Sequence, residues 1–538
     1  MPRAVSRSNH GRRAAVATAH PLATAAGIKA LRMGGNAVDA AVAASLALGV
    51  VAPAFSGIGG GGFMLVRPKG GETIFLDYRE VAPRASSPGM FRLDADGQPD
   101  GFANSMGYLA VGVPGTISGL TFALESYGRL KFAQVAAPAV GYARNGYPVS
   151  PLIGHIVSNN VDNATLKIRR FPETSRDWLR DGRTYRRGER RQAKDLSDVL
   201  GLVAREGKDA FYRGTVSRAI AADMAKNEGL VDESDLARYS VKVRRPVVGT
   251  YRGLEVHAMP PPSLGGVALV QLLNIFENMD LGGTGLNTAE TIAAMARALS
   301  TVLPPMRRMI ADPEFSSCDV EKLCSKDHAA KLWFGRGERG AAVGPDPGSQ
   351  TTHLSVLDGE GNVAAITESV ECYFGSGVTV PGTGILLNDT MHDFDPHPGA
   401  PNSVAPGKRP ASNMTPTLLL RDGEPYLVVG SAAGPRIVTA TLQTILNVVD
   451  HSLDVQRAVD APRFHYQGTG AIKMESRIGE RVREELRGMG FQSETPNYLQ
   501  LRPGFDVYFG GVNAVLVGKN GVCTGAADPR RQGSAQTL

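Results

Sequence analysis

Cysteine is scarce: four in 538 residues, at positions 318, 324, 372 and 523. None forms a CxxC pair or a ligand set with histidine, which excludes a disulfide scaffold and a structural zinc site. Cys318 and Cys324 are near enough in sequence to pair, and spacing alone does not decide it. Free thiols in a reducing compartment are the default. Long apolar runs are also missing. The longest, residues 40–55, is broken by Ser45, Gly49 and Pro53, so no segment spans a membrane. There is no internal repeat and no low-complexity linker, although glycine reaches 64 residues. Acidic residues are absent before Asp39, which gives the start of the chain a transit-peptide look. The apolar stretch 14–19 is stopped by His20-Pro21, too early for a secretory signal. Together these absences predict a cytoplasmic protein with no membrane partner.

Positive charge is in excess, with a formal net charge of +6. The excess is local. Residues 167–195 carry 11 Lys/Arg against 5 Asp/Glu, with the acids interleaved. That pattern reads as a solvated face rather than a nucleic-acid surface. Gly57, Gly59 and Gly62 match GxGxxG, but the motif follows a helical segment and precedes a strand. Phosphate binding needs the opposite order, so no nucleotide cofactor is expected.

Asn36 or Asp39 caps an Ala-rich helix running to about Val51, and strands follow at 63–67 and 73–78. Residues 116–300 read as mainly helical. Residues 335–350 are polar and rich in Gly and Pro, an exposed strip ending at Thr351. Strands are expected at 415–420 and 426–430, and helices at 436–449 and 454–459.

The most informative segment starts at Gly348-Ser349-Gln350-Thr351-Thr352-His353. Residues 354–358 alternate apolar and polar, Gly359-Glu360-Gly361 can turn, and 362–370 is strand-like. This predicts a β-hairpin with a three-residue loop, in which paired positions sum to 720. Thr351 then faces Ser369. A strand threonine is ordinarily just that. If the chain is cut before it, however, the freed α-amine serves as a base for its own hydroxyl.

The surrounding motifs carry more weight. They include Gly34-Gly35-Asn36-Ala37-Val38-Asp39-Ala40-Ala41, Ser56-Gly57-Ile58-Gly59-Gly60-Gly61-Gly62 and Leu76-Asp77-Tyr78-Arg79-Glu80-Val81-Ala82-Pro83. Gly112-Val113-Pro114-Gly115, Pro260 to Gly266, Thr351-Thr352-His353, Lys408-Arg409-Pro410 and Ala526-Ala527-Asp528-Pro529-Arg530 follow in order. From about Gly11 to Pro529 the chain resembles the γ-glutamyltransferase (glutathione hydrolase) family of the N-terminal nucleophile (Ntn) hydrolases. The resemblance implies an α+β fold, a four-layer αββα sandwich formed jointly by two subunits. It implies self-cleavage between Gln350 and Thr351, giving a large subunit 1–350 and a small one 351–538. It implies an acyl-enzyme on Thr351, Ser369 positioning the nucleophile, and an oxyanion hole at Ala433-Gly434, where the family carries two glycines. Substrate contacts fall on Arg79 and Ser412 with Asn413 for an α-carboxylate, and on Asp393 for an α-ammonium. Glu371 and Thr390 occupy binding positions where the family has Asn and Gln or Glu. Glu371 can accept the ammonium, repel a second acid or pair with Arg79. The segment between Asp393 and Lys408 is short, where many relatives carry a longer lid loop. His353, His392 and His397 lack ligand spacing such as HExxH, so no catalytic metal and no cofactor are expected. The implied reaction is cleavage of γ-glutamyl amides, with the acyl group passing to water or an amine. A related acylase acting on a glutaryl-type amide stays open, as does a non-enzymatic interaction protein. So does the oligomeric state.

Overall fold

In this computed structural model the structure describes residues 8–11, 13–335, 350–518 and 520–538. The expected strip 335–350 therefore lies outside the described residues except at its two ends. Two seven-stranded antiparallel sheets form the centre. One runs in the order Ser8–Gly11, Cys523–Ala527, Asn513–Val517, Glu424–Gly430, Thr417–Arg421, Leu254–Ala258, Val247–Tyr251. The other runs Ser534–Thr537, Ala15–Thr18, Gln350–Leu357, Val363–Glu371, Gly61–Arg67, Ile74–Asp77, Lys242–Arg244.

The sheets face each other across a core that includes Ala15, Phe63, Leu65, Phe75, Leu418, Val428 and Val515. Each outer face is covered by helices. Ala37–Val51 packs with Met64, Val66, Leu354, Val356 and Ile366 on one side. Gly265–Phe276, Ala289–Met309 and Arg436–Val449 pack with Leu419, Leu427, Val429 and Ala514 on the other. Strands buried on both faces lose the polar alternation of a half-exposed strand, and Gln350–Leu357 is buried at all eight positions. The result is the expected αββα sandwich.

The hairpin has the expected register. Thr351 pairs with Ser369 and Leu357 with Val363, and the loop is closed by the Asp358 N–H donating to the Asn362 carbonyl at 3.1 Å. The Asp358 carboxylate fixes this turn by accepting from the N–H groups of Glu360, Gly361 and Asn362. It also accepts from Ala37 N–H at 2.9 Å, tying the turn to the start of the buried helix. That helix begins with a reciprocal cap. Asn36 accepts from Val38 and Asp39 N–H, and Asp39 accepts from Asn36 N–H at 2.8 Å.

Within 116–300 the helical expectation misses strands 242–244, 247–251 and 254–258. These are short, and Val248 is half exposed, so they lack a strong periodic signal. Gly59 of the GxGxxG motif and its neighbour Gly60 serve packing. A β-carbon on Gly59 would sit 2.1 Å from the Leu386 carbonyl oxygen, and one on Gly60 would sit 2.1 Å from that of Ser369. The segment thus enters the sheet beside the strand that carries Ser369, with room for no side chain at these two positions. Gly60→Ala should lower stability by about 1–3 kcal/mol or more through overpacking. It should also displace Ser369, so self-cleavage should fail with it. A melting temperature equal to wild type would overturn this account.

Candidate active site

Thr351 sits 2% exposed where the central strand begins. The ladder shifts register between Gln350 and Thr351, so Gln350 pairs with Glu371. This bulge moves the Gln350 carbonyl over Ser369. The Ser369 hydroxyl donates to that oxygen at 2.5 Å and accepts from Glu371 N–H at 2.8 Å. Ser369 was expected to position Thr351 by bonding its hydroxyl or amine. In the uncut chain it lies on the carbonyl that would be attacked, where a donor stabilises developing negative charge.

Arg531 holds the residues that flank this peptide bond. It donates to the Thr351 carbonyl at 3.2 Å and to the Gln350 side-chain oxygen at 2.6 Å. Sequence reasoning assigned Arg531 no role, although it directly follows the Asp528-Pro529-Arg530 motif. That motif is a buried ion cluster. Arg530 binds Glu475 at 2.7 Å and Asp528 at 3.1 Å, Arg463 binds Asp528 at 2.7 Å, and Asp528 also accepts from Val512 N–H. The cluster fixes the turn from which Arg531 reaches Gln350 and Thr351.

Ala433 and Gly434 lie between strand Glu424–Gly430 and helix Arg436–Val449. Both have positive φ, 96° for Ala433 and 50° for Gly434. Among the described residues neither amide N–H has an acceptor, while both carbonyls receive helix-start bonds. Two unpaired donors on such a turn are what an oxyanion hole requires. The alanine holds a conformation that costs an L-residue on the order of 1–3 kcal/mol.

The substrate-binding candidates fall into two groups. Arg79, Glu371 and Asp393 converge. The Arg79 guanidinium is fully buried, bonded to Asp393, 3.3 Å from Glu80 and 3.7 Å from Glu371. Glu371 reaches it through a backbone turn with φ 80° rather than by strand alternation. Burial is the main force raising the Glu80 carboxyl to about 7, against the pull of Arg79. Burial first, and then the neighbouring Glu371, hold the Asp393 carboxyl well above its usual range. Ser412 and Asn413 are occupied locally, the Ser412 hydroxyl accepting from Met414 N–H at 3.1 Å and the Asn413 carbonyl from the Thr415 hydroxyl at 2.9 Å, while Asn402 donates to the Asp393 carbonyl at 2.7 Å and accepts from Ala411 N–H at 2.9 Å. The short loop between Asp393 and Lys408 is thus tied down, and the Lys408 ammonium adds bonds to the Pro401 and Ser403 carbonyls.

Thr390 is fully buried and its hydroxyl has no partner. Arg79 Nε, Glu80 Oε1, Glu371 Oε1 and His392 Nδ1 are likewise buried without partners. Unpaired polar atoms in one place mark a site shaped for a polar ligand. One ligand atom each from Glu371, His392 and Asp393 lies within 4.8 Å of the others. Motif spacing could not find this group, because Glu371 comes from a different segment. His353, by contrast, is structural. It bonds Thr367 and Ser355, and burial lowers its pKa to about 3. All four cysteines are free thiols.

The model of the gamma-glutamyltranspeptidase family matches residues 23–538. A glutathione hydrolase proenzyme of Escherichia coli is 36% identical over 539 residues, covering 96% of this chain and 90% of the relative. An acylase ACY 1 proenzyme of a Pseudomonas species is also 36% identical, covering 97% and 93%. The crystal structure of a cephalosporin acylase from Bacillus halodurans superposes with a TM-score of 0.85 at 28% identity, covering 100% of this chain and 98% of that one. The expected cytoplasmic location does not stand, since relatives of this kind are mostly secreted or periplasmic enzymes. A fold that needs no disulfide forms equally in an oxidising compartment, so scarce cysteine was no guide.

Ala433→Gly should relieve the backbone strain and raise stability by about 1 kcal/mol, read as a higher melting temperature. A lower one would mean that the buried methyl packs better than its φ costs.

Proposed function

Because the chain belongs to the gamma-glutamyltranspeptidase family, we propose that Thr351 becomes its nucleophile by cutting the Gln350–Thr351 bond. The enzyme cleaves γ-glutamyl amides, forming an ester on Thr351 that passes to water or an amine. The observation that carries the processing step is the Ser369 hydroxyl on the Gln350 carbonyl, 2.5 Å away. In the precursor the Thr351 hydroxyl attacks that carbonyl, with Ser369 and Arg531 holding the peptide. The N-to-O shift breaks the C–N bond, giving an ester on the Thr351 hydroxyl and freeing the Thr351 amine; hydrolysis of the ester then releases the Gln350 carboxylate and restores the hydroxyl. In the mature enzyme that amine takes the proton from the hydroxyl as the donor amide is attacked. The N–H groups of Ala433 and Gly434 receive the tetrahedral oxyanion. The amine then returns its proton to the leaving nitrogen, and water or an acceptor amine resolves the ester.

Arg79 binds the donor's α-carboxylate, and Asp393 with Glu371 binds its α-ammonium. The unpaired Glu371 oxygen supports this assignment. Arg79 is held by acids until a donor carboxylate arrives. An ammonium that engages those acids at the same time keeps the exchange balanced in charge. A second reading, an acylase on glutaryl-type donors, is favoured by Glu371 and Thr390 standing where the family pattern differs.

Purified protein should resolve into fragments of about 37 and 20 kDa, by length share of the chain, with Thr351 at the new N-terminus. Thr351→Ala should stay whole, and Ser369→Ala should cut on the order of 100-fold more slowly. Intact wild-type protein with full activity would defeat the mechanism. Donor choice is read from Glu371→Gln. Loss of kcat/KM on γ-glutamyl anilide with little change on glutaryl anilide supports ammonium binding. Improvement on glutaryl donors alone would instead make Glu371 a guard against a second acid.

A further inference from the structure

We propose that Glu371, His392 and Asp393 form a divalent-cation site that takes zinc when no donor is bound and so closes the pocket to substrate. The three residues come from two segments. Glu371 ends the strand that carries Ser369, while His392 and Asp393 belong to the 3-10 turn Thr390–Asp393. One donor atom from each lies within 4.8 Å of the other two.

The way the oxygens are shared is informative. Glu371 turns Oε2 toward Arg79 at 3.7 Å, and its Oε1 has no partner although the residue is 2% exposed. Asp393 gives Oδ2 to Arg79. His392 anchors its backbone N–H on the Asp389 carbonyl at 3.0 Å and leaves Nδ1 buried and unpaired. Leaving such atoms unsatisfied is costly, and a cation between them satisfies both.

Charge favours the same occupant. Glu80, Glu371 and Asp393 gather three carboxyl groups around the single guanidinium of Arg79. A divalent ion can displace carboxyl protons there and bind the freed oxygens. An imidazole nitrogen with two carboxylate oxygens suits zinc, which binds them at about 2.0–2.2 Å and keeps a fourth position for water. Closing from 4.8 Å to tetrahedral spacing needs side-chain rotation only, on the order of 1 Å.

The site itself stands on these residues alone. Its competition with substrate rests on the reading that the donor ammonium uses Glu371 and Asp393, and the experiment separates the two. The mature enzyme is dialysed against Zn²⁺ with no donor present. One tightly held equivalent is expected, weakened at least tenfold in both His392→Ala and Glu371→Gln, with His392→Gln as a second test should the alanine variant melt early. No zinc retained by wild type, or equal retention by every folded variant, overturns the site. In kinetics with a γ-glutamyl anilide, zinc should raise KM and leave kcat unchanged. Zinc retained in dialysis yet inhibiting without competing would support the cation site and fault the placement of the donor ammonium.

Discussion

A one-residue slip between the strands at 350–357 and 363–371 would turn every side chain of one strand to the other face. Thr351 would then leave Ser369, and the Gln350 carbonyl would leave its donor. The slip is prevented at the far end of the hairpin, where the Asp358 carboxylate gathers three loop N–H groups and the N–H of Ala37. It is prevented at the near end by Arg531, clamped on Gln350 and Thr351. Gly60 abuts the Ser369 carbonyl, too close for any side chain. The register is therefore held at both ends and at Ser369, and the bulge between them is the one place where the ladder yields. It yields at the bond the family resemblance marks for cutting.

Two buried charge clusters do opposite work. Around Arg530 the pairing is close and nearly complete. Arg463, Glu475 and Asp528 share bonds with backbone groups as well as each other, so the cluster locks a turn. Around Arg79 the acids outnumber the cation, and free oxygens remain on Glu80 and Glu371. Half-satisfied polar groups are expensive in a low-dielectric interior. Arg79, Glu80, Glu371, Thr390 and His392 each keep such an atom around one guanidinium, whereas the acids around Arg530 are paired.

Much of this was legible in the chain. The hairpin register followed from alternation and a three-residue turn, and the capped helix from Asn36 and Asp39. The layered fold and the candidate site followed from motifs in family order. What was not legible depends on distant segments meeting. Arg531 lies 181 positions from Gln350, and nothing local announces the contact. Glu371 was left with three roles, pairing with Arg79 among them, and the left-handed φ of 80° at the residue that makes this pair leaves no mark in the sequence. His392 was judged by ligand spacing along the sequence, whereas its neighbour Glu371 comes from another segment. Location was inferred from scarce cysteine together with the lack of a secretory-type or membrane-spanning stretch, and none of these fixed the compartment.

Ala433 ties strain to chemistry. Glycine would adopt φ 96° without cost, so retaining alanine there means that the surroundings over-determine the turn. They do so through the helix that follows, whose first bonds are anchored on the Ala433 and Gly434 carbonyls. With the carbonyls committed to the helix, the amide N–H groups are left pointing away from it. Donors fixed in this way need no reorganisation when charge develops on a substrate oxygen, which is what the proposed oxyanion hole requires. The same helix thus holds the strained residue in place and leaves its N–H unpaired. A more flexible glycine at 433 would relax the strain and loosen the donor together.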